Sequence, residues 1–419
     1  MTPAHSEAIR QLLDRPPLKK LFKALAGEEV RVVGGAVRNA LLGVEVADID
    51  LAAAALPEVV AAKAEKAGLR VVPTGIDHGT LTLVFDDVHF EVTTLREDIE
   101  TDGRRAKVRF GRDFEADARR RDFTVNALSV DAEGKLYDYT GGLKDLAERR
   151  IRFIGDPEKR IAEDFLRILR FFRFSAAYGA GPLDAAGFAA CVALRAGLAT
   201  LSRERIGAEM QKILVAPRCG PVVERMSKAG LLSFLGVAPW PARLLRLLDR
   251  KILLDRKTPD ALLALAALAL HSEADAERLT EALRLSNAQK RRLAAMAKVA
   301  ALWHGADTAP KPSSLLEALF VHGAQAARDA LALIQAESPA EPDDPAFLSA
   351  DAFLRDTPAP KISFGAPDLI ARGVTPGPGL GAALKRLTAS WIRAGFPQEP
   401  QVVARMIDEA AGTAADETR

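Results

Sequence analysis

Two aspartates set two residues apart, in the run Asp48-Ile49-Asp50-Leu51, are the strongest chemical feature of this sequence. Alternate side chains of a β-strand point the same way, so the two carboxylates would converge on one point. Converging carboxylates repel unless a cation lies between them, and oxygen ligands of this kind suit Mg²⁺. A solitary D-x-D is more often a solvated strand edge; the residues just upstream change the reading. There a strand-like run, residues 30–33, meets Gly34-Gly35 and continues as a helical stretch through Leu41. A strand, a glycine pair and a helix leave backbone N–H groups free for phosphate oxygens, and Arg38 on the first turn would add a charge.

Four further stretches carry chemistry. Glu91, in an alternating strand-like run, is either a third acid facing the metal or a surface residue. Residues 97–113 hold Arg104, Arg105, Lys107, Arg109 and Arg112. They read as a strand-poor loop, either solvated or a flap over a phosphate-handling site. Arg119-Arg120-Arg121 leads into a strand-like run at 125–130. At least one of these arginines should point outward, and one or two pointing inward would suit a triphosphate through planar bidentate contacts. Finally, Asp164 and Arg167 are three apart in a helical pattern over 163–174, hence neighbours on one face. The bland reading is a surface ion pair. The sharper one is a nucleobase reader, because a carboxylate accepts from an exocyclic amine and a guanidinium donates to a ring nitrogen. Cytosine and adenine present that pattern; uracil and guanine do not.

These residues need a scaffold, and composition changes midway along it. Strand-like runs at 30–33, 81–85, 89–94 and 125–130 alternate with helical pieces such as 56–67. From about Asp156 onward, Leu, Ala and Arg recur at helical spacing, Ser286 reads as an N-cap, and 373–381 (GVTPGPGLG) as a breaker. The end, residues 410–419, reads as frayed. The chain has 419 residues, 48% of them hydrophobic, and 58 basic against 56 acidic side chains, a net charge of +2. This excludes a globally basic protein and bulk disorder. Cys191 and Cys219 make no disulfide scaffold, and no Cys/His spacing suits zinc. No signal-like or membrane-length apolar segment is seen, so a soluble cytoplasmic setting without membrane partners is expected. The six histidines form no His-Asp dipeptide that would argue for a metal hydrolase domain.

The ordered set GGAVRNALLG…DID, FEVTTLR, RRDFTVNAL, GGLKDL and RFIGDPEKRIAEDFLRILRFFRF resembles the bacterial class II tRNA nucleotidyltransferase (CCA-adding enzyme) and poly(A) polymerase family. The resemblance is strong from Val30 to Phe174, with later echoes in LSRERIGAEM and RLRLSNAQKRRL. It implies an α+β protein: a DNA polymerase β-like nucleotidyltransferase head with a small mixed sheet, then an all-helical neck, body and tail. The head would span residues 1–150, the neck with the nucleobase template 151–215, and the tRNA-binding body and tail 216–419. The resemblance assigns Asp48 and Asp50 to catalytic Mg²⁺, with Glu91 a possible third ligand, and Gly34, Gly35 and Arg38 to the nucleotide. Arg121 and Asp122 would join the nucleotide site, Asp164 and Arg167 would read the base, and Arg170 and Arg173 would support base or triphosphate. Asn39 departs from the family, which commonly has Asp there. The implied reaction joins a tRNA 3′ end to CMP, CMP and AMP from CTP and ATP. Poly(A) addition shares these motifs, but balanced charge and an acidic end (Asp408, Glu409, Asp416, Glu417) favour CCA addition; a silent RNA-binding scaffold would have no reason to keep repelling carboxylates. Residues 97–113 argue against a loop-deleted, CC-adding form. In the body, Arg243, Arg246, Arg250, Lys251, Arg291 and Arg292 are either tRNA-backbone contacts or solvated helix faces.

Overall fold

The computed structural model describes residues 3–75, 79–102, 105–250 and 260–416. They fall into two compact units, Met1–Phe234 and Leu235–Arg419, so the expected borders at 150 and 215 both lie within or near the end of the first unit.

The first unit is built on a seven-stranded sheet. Its strands are β1 (Val30–Val33), β2 (Ile49–Ala53), β3 (Arg70–Gly75), β4 (Thr80–Phe85), β5 (Val88–Thr94), β8 (Ser129–Val130) and β9 (Leu136–Tyr137). A separate hairpin holds β6 (Arg96–Asp102) and β7 (Arg105–Phe110). The sheet order is β3-β4-β5-β2-β1-β8-β9, and β2 with β5 is its parallel pair. Alternation decides which face is buried: Ile49, Leu51, Leu83, Phe90 and Val92 are each at most 5% exposed and make the core beneath the sheet.

Several sequence expectations change here. Residues 97–113 are not strand-poor: most of them form the β6–β7 hairpin, with Arg104 outside the described residues. Nor is 125–130 one strand. Thr124–Asn126 is a 3₁₀ turn, and only Ser129–Val130 pairs in the sheet. The three arginines end a helix, Phe114–Arg120, capped by Asp113. The helical pattern over 163–174 breaks at Asp164: one helix is Pro157–Glu163 and the next is Leu166–Tyr178. Asp164 has extended backbone (φ −157°), and its Oδ1 accepts the Leu166 N–H at 3.0 Å, a local bond that competes with helix continuation. At the other end of the chain, a helix runs over Pro400–Asp416 where fraying was expected, and Glu417 lies outside the described residues.

Aromatic packing joins the sheet to the second of those helices. Phe123, Phe153 and Phe171 are at most 1% exposed, with ring centroids 4.8 Å apart for the first two and 5.5 Å for the last two. Phe123 and Phe153 also face each other across an antiparallel bridge.

The second unit is helical throughout its described residues. One cluster gathers Trp303, Leu331, Ile334 and Phe347, and another Leu369, Leu387, Trp391 and Phe396. Ser286 caps Asn287–Trp303 with a reciprocal box to Gln289, as the sequence predicts. Most of the basic residues weighed as tRNA contacts are tied down internally. Arg243, 2% exposed, donates to the carbonyls of Ala266, Ala267 and Leu270 at 2.6–2.7 Å and closes the end of Ala261–Ala269. Arg246 and Arg250 donate to the Ser338 and Ala340 carbonyls, and Arg292 bridges Asp329 and Asp260. Arg291 is exposed, and Lys251 lies outside the described residues.

Because Phe171 joins sheet and helix, Phe171→Ala is expected to cost about 3–5 kcal/mol of stability. Urea unfolding should show the midpoint falling with the slope unchanged; a loss below about 1 kcal/mol would remove this ring from the core.

Candidate nucleotide and metal site

β1 runs into Gly34, whose backbone (φ 66°) favours glycine, and the helix Gly35–Leu41 starts at once. A Cβ on Gly34 would come within 2.8 Å of Arg121 Nη1, so the glycine also makes room for that guanidinium. Arg121 reaches this place because Asp117, 5% exposed, holds it at 3.1 Å and holds Arg120 Nε at 2.9 Å on its other oxygen. Burial alone would raise the Asp117 carboxyl, but Arg121 and Arg120 outweigh it and keep the group ionised. Arg119 turns outward to Glu115, as one of the three was expected to do.

Arg38 is 5% exposed and spends its N–H groups within the protein. It donates to Tyr178 Oη at 2.9 Å, to Asn39 Oδ1 at 2.8 and 3.1 Å, and to Asn126 Oδ1, while lying 4.0 Å from the Tyr178 ring centroid. Asn39, the expected departure, has a role of its own: its carbonyl accepts from Arg38 and its amide donates to the Glu45 carbonyl at 3.0 Å, which a carboxylate could not do. Asp122 is the hub of the arrangement. Its Oδ1 accepts from the Phe123 N–H and from Asn126 Nδ2, and its Oδ2 takes Arg170 at 2.6–2.7 Å. Arg173 pairs with Glu209 at 3.0 Å; burial draws the Arg173 pKa down, with Glu209 opposing the shift.

Asp164 and Arg167 do not pair with each other, contrary to the helical expectation, because Asp164 precedes the helix. Asp164 Oδ2 accepts from Arg205 at 2.8 Å. Arg167 donates to the Arg160 carbonyl at 2.8 Å and to Glu163. The corner between them is tight: a Cβ on Gly197 would overlap the Phe165 ring.

Ten of the expected residues share one cleft of about 840 Å³: Gly34, Gly35, Arg38, Asp50, Arg121, Asp122, Asp164, Arg167, Arg170 and Arg173. Asn126, Tyr178, Arg205 and Lys212 also line it. Seven basic side chains face three carboxylates there, a balance that suits a polyanionic ligand, and the volume suits a nucleotide. Tyr178 escaped sequence reading, although it lies four residues past Phe174 on the same helix. Arg205 and Lys212 were legible only as a seven-residue spacing on Arg203–Leu214.

Asp48 and Glu91 line a neighbouring cavity that shares Asp50. Asp50 on β2 lies directly beside Glu91 on β5, and Asp48 immediately precedes β2. Burial, then the charge of Glu91, push the Asp50 carboxyl above its usual range; Arg121 opposes this and Asp48 adds to it. Such crowding calls for a cation. Among the described residues no three His, Cys, Asp or Glu side chains are grouped to hold a metal ion, so Glu91, weighed as a third ligand, does not complete a site with Asp48 and Asp50. An open pair of carboxylates nevertheless fits Mg²⁺, which keeps waters and borrows oxygens from bound phosphates.

Comparison with known proteins agrees with this geometry. The family model described as "Poly A polymerase head domain" matches residues 30–152, and "Probable RNA and SrmB- binding site of polymerase A" matches residues 183–238. The chain is 38% identical over 266 residues to "CCA tRNA nucleotidyltransferase 1, mitochondrial" of Danio rerio, covering 62% of this chain and 61% of that one. It is 40% identical over 221 residues to the "CCA-adding enzyme" of Streptococcus gordonii, covering 52% and 54%. The chain therefore spans only about half to three-fifths of the length of the curated relatives it matches. Among solved structures, the Bacillus stearothermophilus CCA-adding enzyme in complex with CTP matches over 100% of both chains, with a TM-score of 0.70 and 26% identity. The Thermotoga maritima CCA-adding enzyme complexed with tRNA shares the fold, with a TM-score of 0.68 at 20% identity over 99% of this chain and 100% of that one. Among the described residues no helix is long and apolar enough to cross a membrane. With its motifs in order on this sheet, the chain carries a segment matching a poly(A) polymerase head domain at residues 30–152 and a second matching segment at 183–238, and it is similar to CCA-adding enzymes over about half to three-fifths of its length.

Proposed function

We propose that this chain adds CMP, CMP and AMP to the 3′ end of tRNA without a nucleic-acid template, using CTP and ATP and releasing pyrophosphate. The observation that carries this reading is Asp50, which lines both the basic cleft and the carboxylate cavity, so a nucleotide held by the arginines would meet the acids. The names of the relatives support tRNA as acceptor and CCA as product.

Arg121, Arg170 and Arg173, each held from behind by a carboxylate, would grip the triphosphate together with the N–H groups after Gly34. Asp164 and Arg167 would take the pairing edge of the base. For that, Asp164 Oδ2 shares or leaves Arg205, and Arg167 turns from Glu163. The 3′ oxygen of the RNA then bonds to the α-phosphorus, the bond to the bridging oxygen breaks, and the hydroxyl proton passes to solvent. Mg²⁺ bound by Asp48 and Asp50, with Glu91 beside them, would supply a lowered hydroxyl pKa and neutralise the leaving oxygen. A poly(A)-adding enzyme is the second reading, favoured by the description of the matched head domain.

The deciding assay mixes the chain with tRNA lacking its 3′ CCA, Mg²⁺ and labelled CTP or ATP, and reads the added sequence. C, C and A in order support the proposal; A alone on many RNA ends supports the second reading, and no addition leaves a silent RNA binder. Asp48→Ala or Asp50→Ala should reduce incorporation at least a hundredfold with tRNA binding retained, and chelation with EDTA should do the same until Mg²⁺ is restored. Near-normal turnover in either variant would defeat the metal assignment. Asp164→Ala or Arg167→Ala should blur selection of C and A over U and G by about tenfold or more, as the loss of one specific hydrogen-bonded contact predicts. Arg205→Ala, which frees Asp164 Oδ2, should leave incorporation possible but loosen the same selection, read from misincorporated UMP.

A further inference from the structure

The cavity beside the carboxylates, about 640 Å³, is built by strand register. Val72 pairs with Thr82, Thr82 with Glu91, and Glu91 with Asp50; one step along the strands, Arg70 pairs with Val84 and Val84 with His89. Residues two apart on a strand share a face, so both rows look the same way. The intervening Leu83 and Phe90, both 0% exposed, fill the core on the opposite face. Val84 and Thr82 are nearly buried and make a floor, while Arg70 and His89 are exposed at its rim. From β2 to β3 is three strand spacings, about 14 Å.

We infer that this cavity seats the 3′-terminal nucleotide of the RNA acceptor, with Arg70 on a backbone phosphate upstream of the terminal ribose and His89 against the terminal base. The inference rests on the nucleotidyl transfer proposed above. In-line displacement puts the attacking oxygen and the leaving pyrophosphate on opposite sides of the α-phosphate. β2, which carries Asp50, lies between β1 and β5 in the sheet. The basic cleft opens on the β1 side, from Gly34 to Arg121 and Arg170, and the cavity on the side of β5, β4 and β3. With the triphosphate on the first side, the hydroxyl arrives from the second. Charge agrees with this division. The cleft's lining has seven basic groups to three carboxylates, whereas in the cavity Arg70 stands alone against Asp48, Asp50 and Glu91; this balance does not suit a triphosphate and leaves a place for one phosphodiester at the Arg70 end, three strands from the Asp50 strand. An unstacked RNA end is held by ring stacking and phosphate contact, and His89 and Arg70 offer one of each.

The test uses the full chain and tRNA lacking its 3′ CCA, varying tRNA at saturating CTP and then CTP at saturating tRNA. Arg70→Ala should lower kcat/KM for tRNA about tenfold and flatten its dependence on log salt by about 0.7–0.9, one phosphate contact, with KM for CTP unchanged. Arg70→Lys should keep the salt slope. His89→Ala should lower kcat/KM for tRNA about tenfold and His89→Phe should restore most of it, as stacking requires. Unchanged melting temperatures show that the fold persists, since both side chains are exposed. If both alanine variants keep normal kcat/KM for tRNA while the parent chain is active, the inference is overturned and the proposed activity stands. A raised KM for CTP in place of the tRNA effect puts the cavity on the nucleotide side and overturns it as well. A parent chain that adds no nucleotide overturns both.

Discussion

Like charges brought together by backbone register dominate this molecule. The parallel pairing of β2 with β5 sets Asp50 beside Glu91, with Asp48 one residue before the strand, and nothing in the side chains themselves favours that proximity. The sheet can impose it because its other face is closed by Ile49, Leu51, Leu83, Phe90 and Val92, all but removed from water. Slipping the register by one residue to separate the acids would turn those apolar side chains outward, a cost of about 1.5–3 kcal/mol for each large one. Electrostatic repulsion on one face is thus held by hydrophobic burial on the other, and the Asp50 carboxyl is pushed up first by its burial and then by the charge of Glu91.

The cations of the cleft follow the converse rule. Three of them are steadied by an anion behind: Arg121 by Asp117, Arg170 by Asp122, Arg173 by Glu209. Asp122 matters most, because its other oxygen holds Asn126, which in turn accepts from Arg38. A short chain of hydrogen bonds therefore runs from the helix after the glycine corner to the helix Leu166–Tyr178, while the Phe123 and Phe153 rings pack against Phe171 of that second helix. Positioned in this way, the guanidinium groups need little reorganisation to receive a polyanion.

How much of this the sequence discloses depends on the range of the forces involved. The strands at 30–33, 81–85 and 89–94, the glycine corner and the Ser286 cap are local and could be read directly. The Asp48 and Asp50 pair was legible as a pair, but its neighbour Glu91 was ambiguous, since only sheet order places it. Misreadings arose where a polar side chain bonds neighbouring backbone: Asp164 takes the Leu166 N–H and ends a helix that periodicity would continue, and Asp122 takes the Phe123 N–H just before a 3₁₀ turn where β-branched residues suggested a strand. Charge hid the β6–β7 hairpin, whose run of acids and then bases looks like a solvated loop. In the helical unit, Arg243, Arg246 and Arg250 resemble surface charge until tertiary structure shows which carbonyls they close.

The corner at Phe165 has a further consequence. Between Asp164 and Arg167 the Phe165 ring is wedged at the helix break, and it abuts Gly197, a residue in a distant 3₁₀ segment with no polar side chain to offer a ligand. A single added methyl there would shift the wedge and, with it, the placing of both side chains in the cleft. The shape of the cleft is therefore also a matter of steric clearance at a glycine outside its lining, and drift at Gly197 would be felt by Asp164 and Arg167 while leaving both residues themselves unaltered.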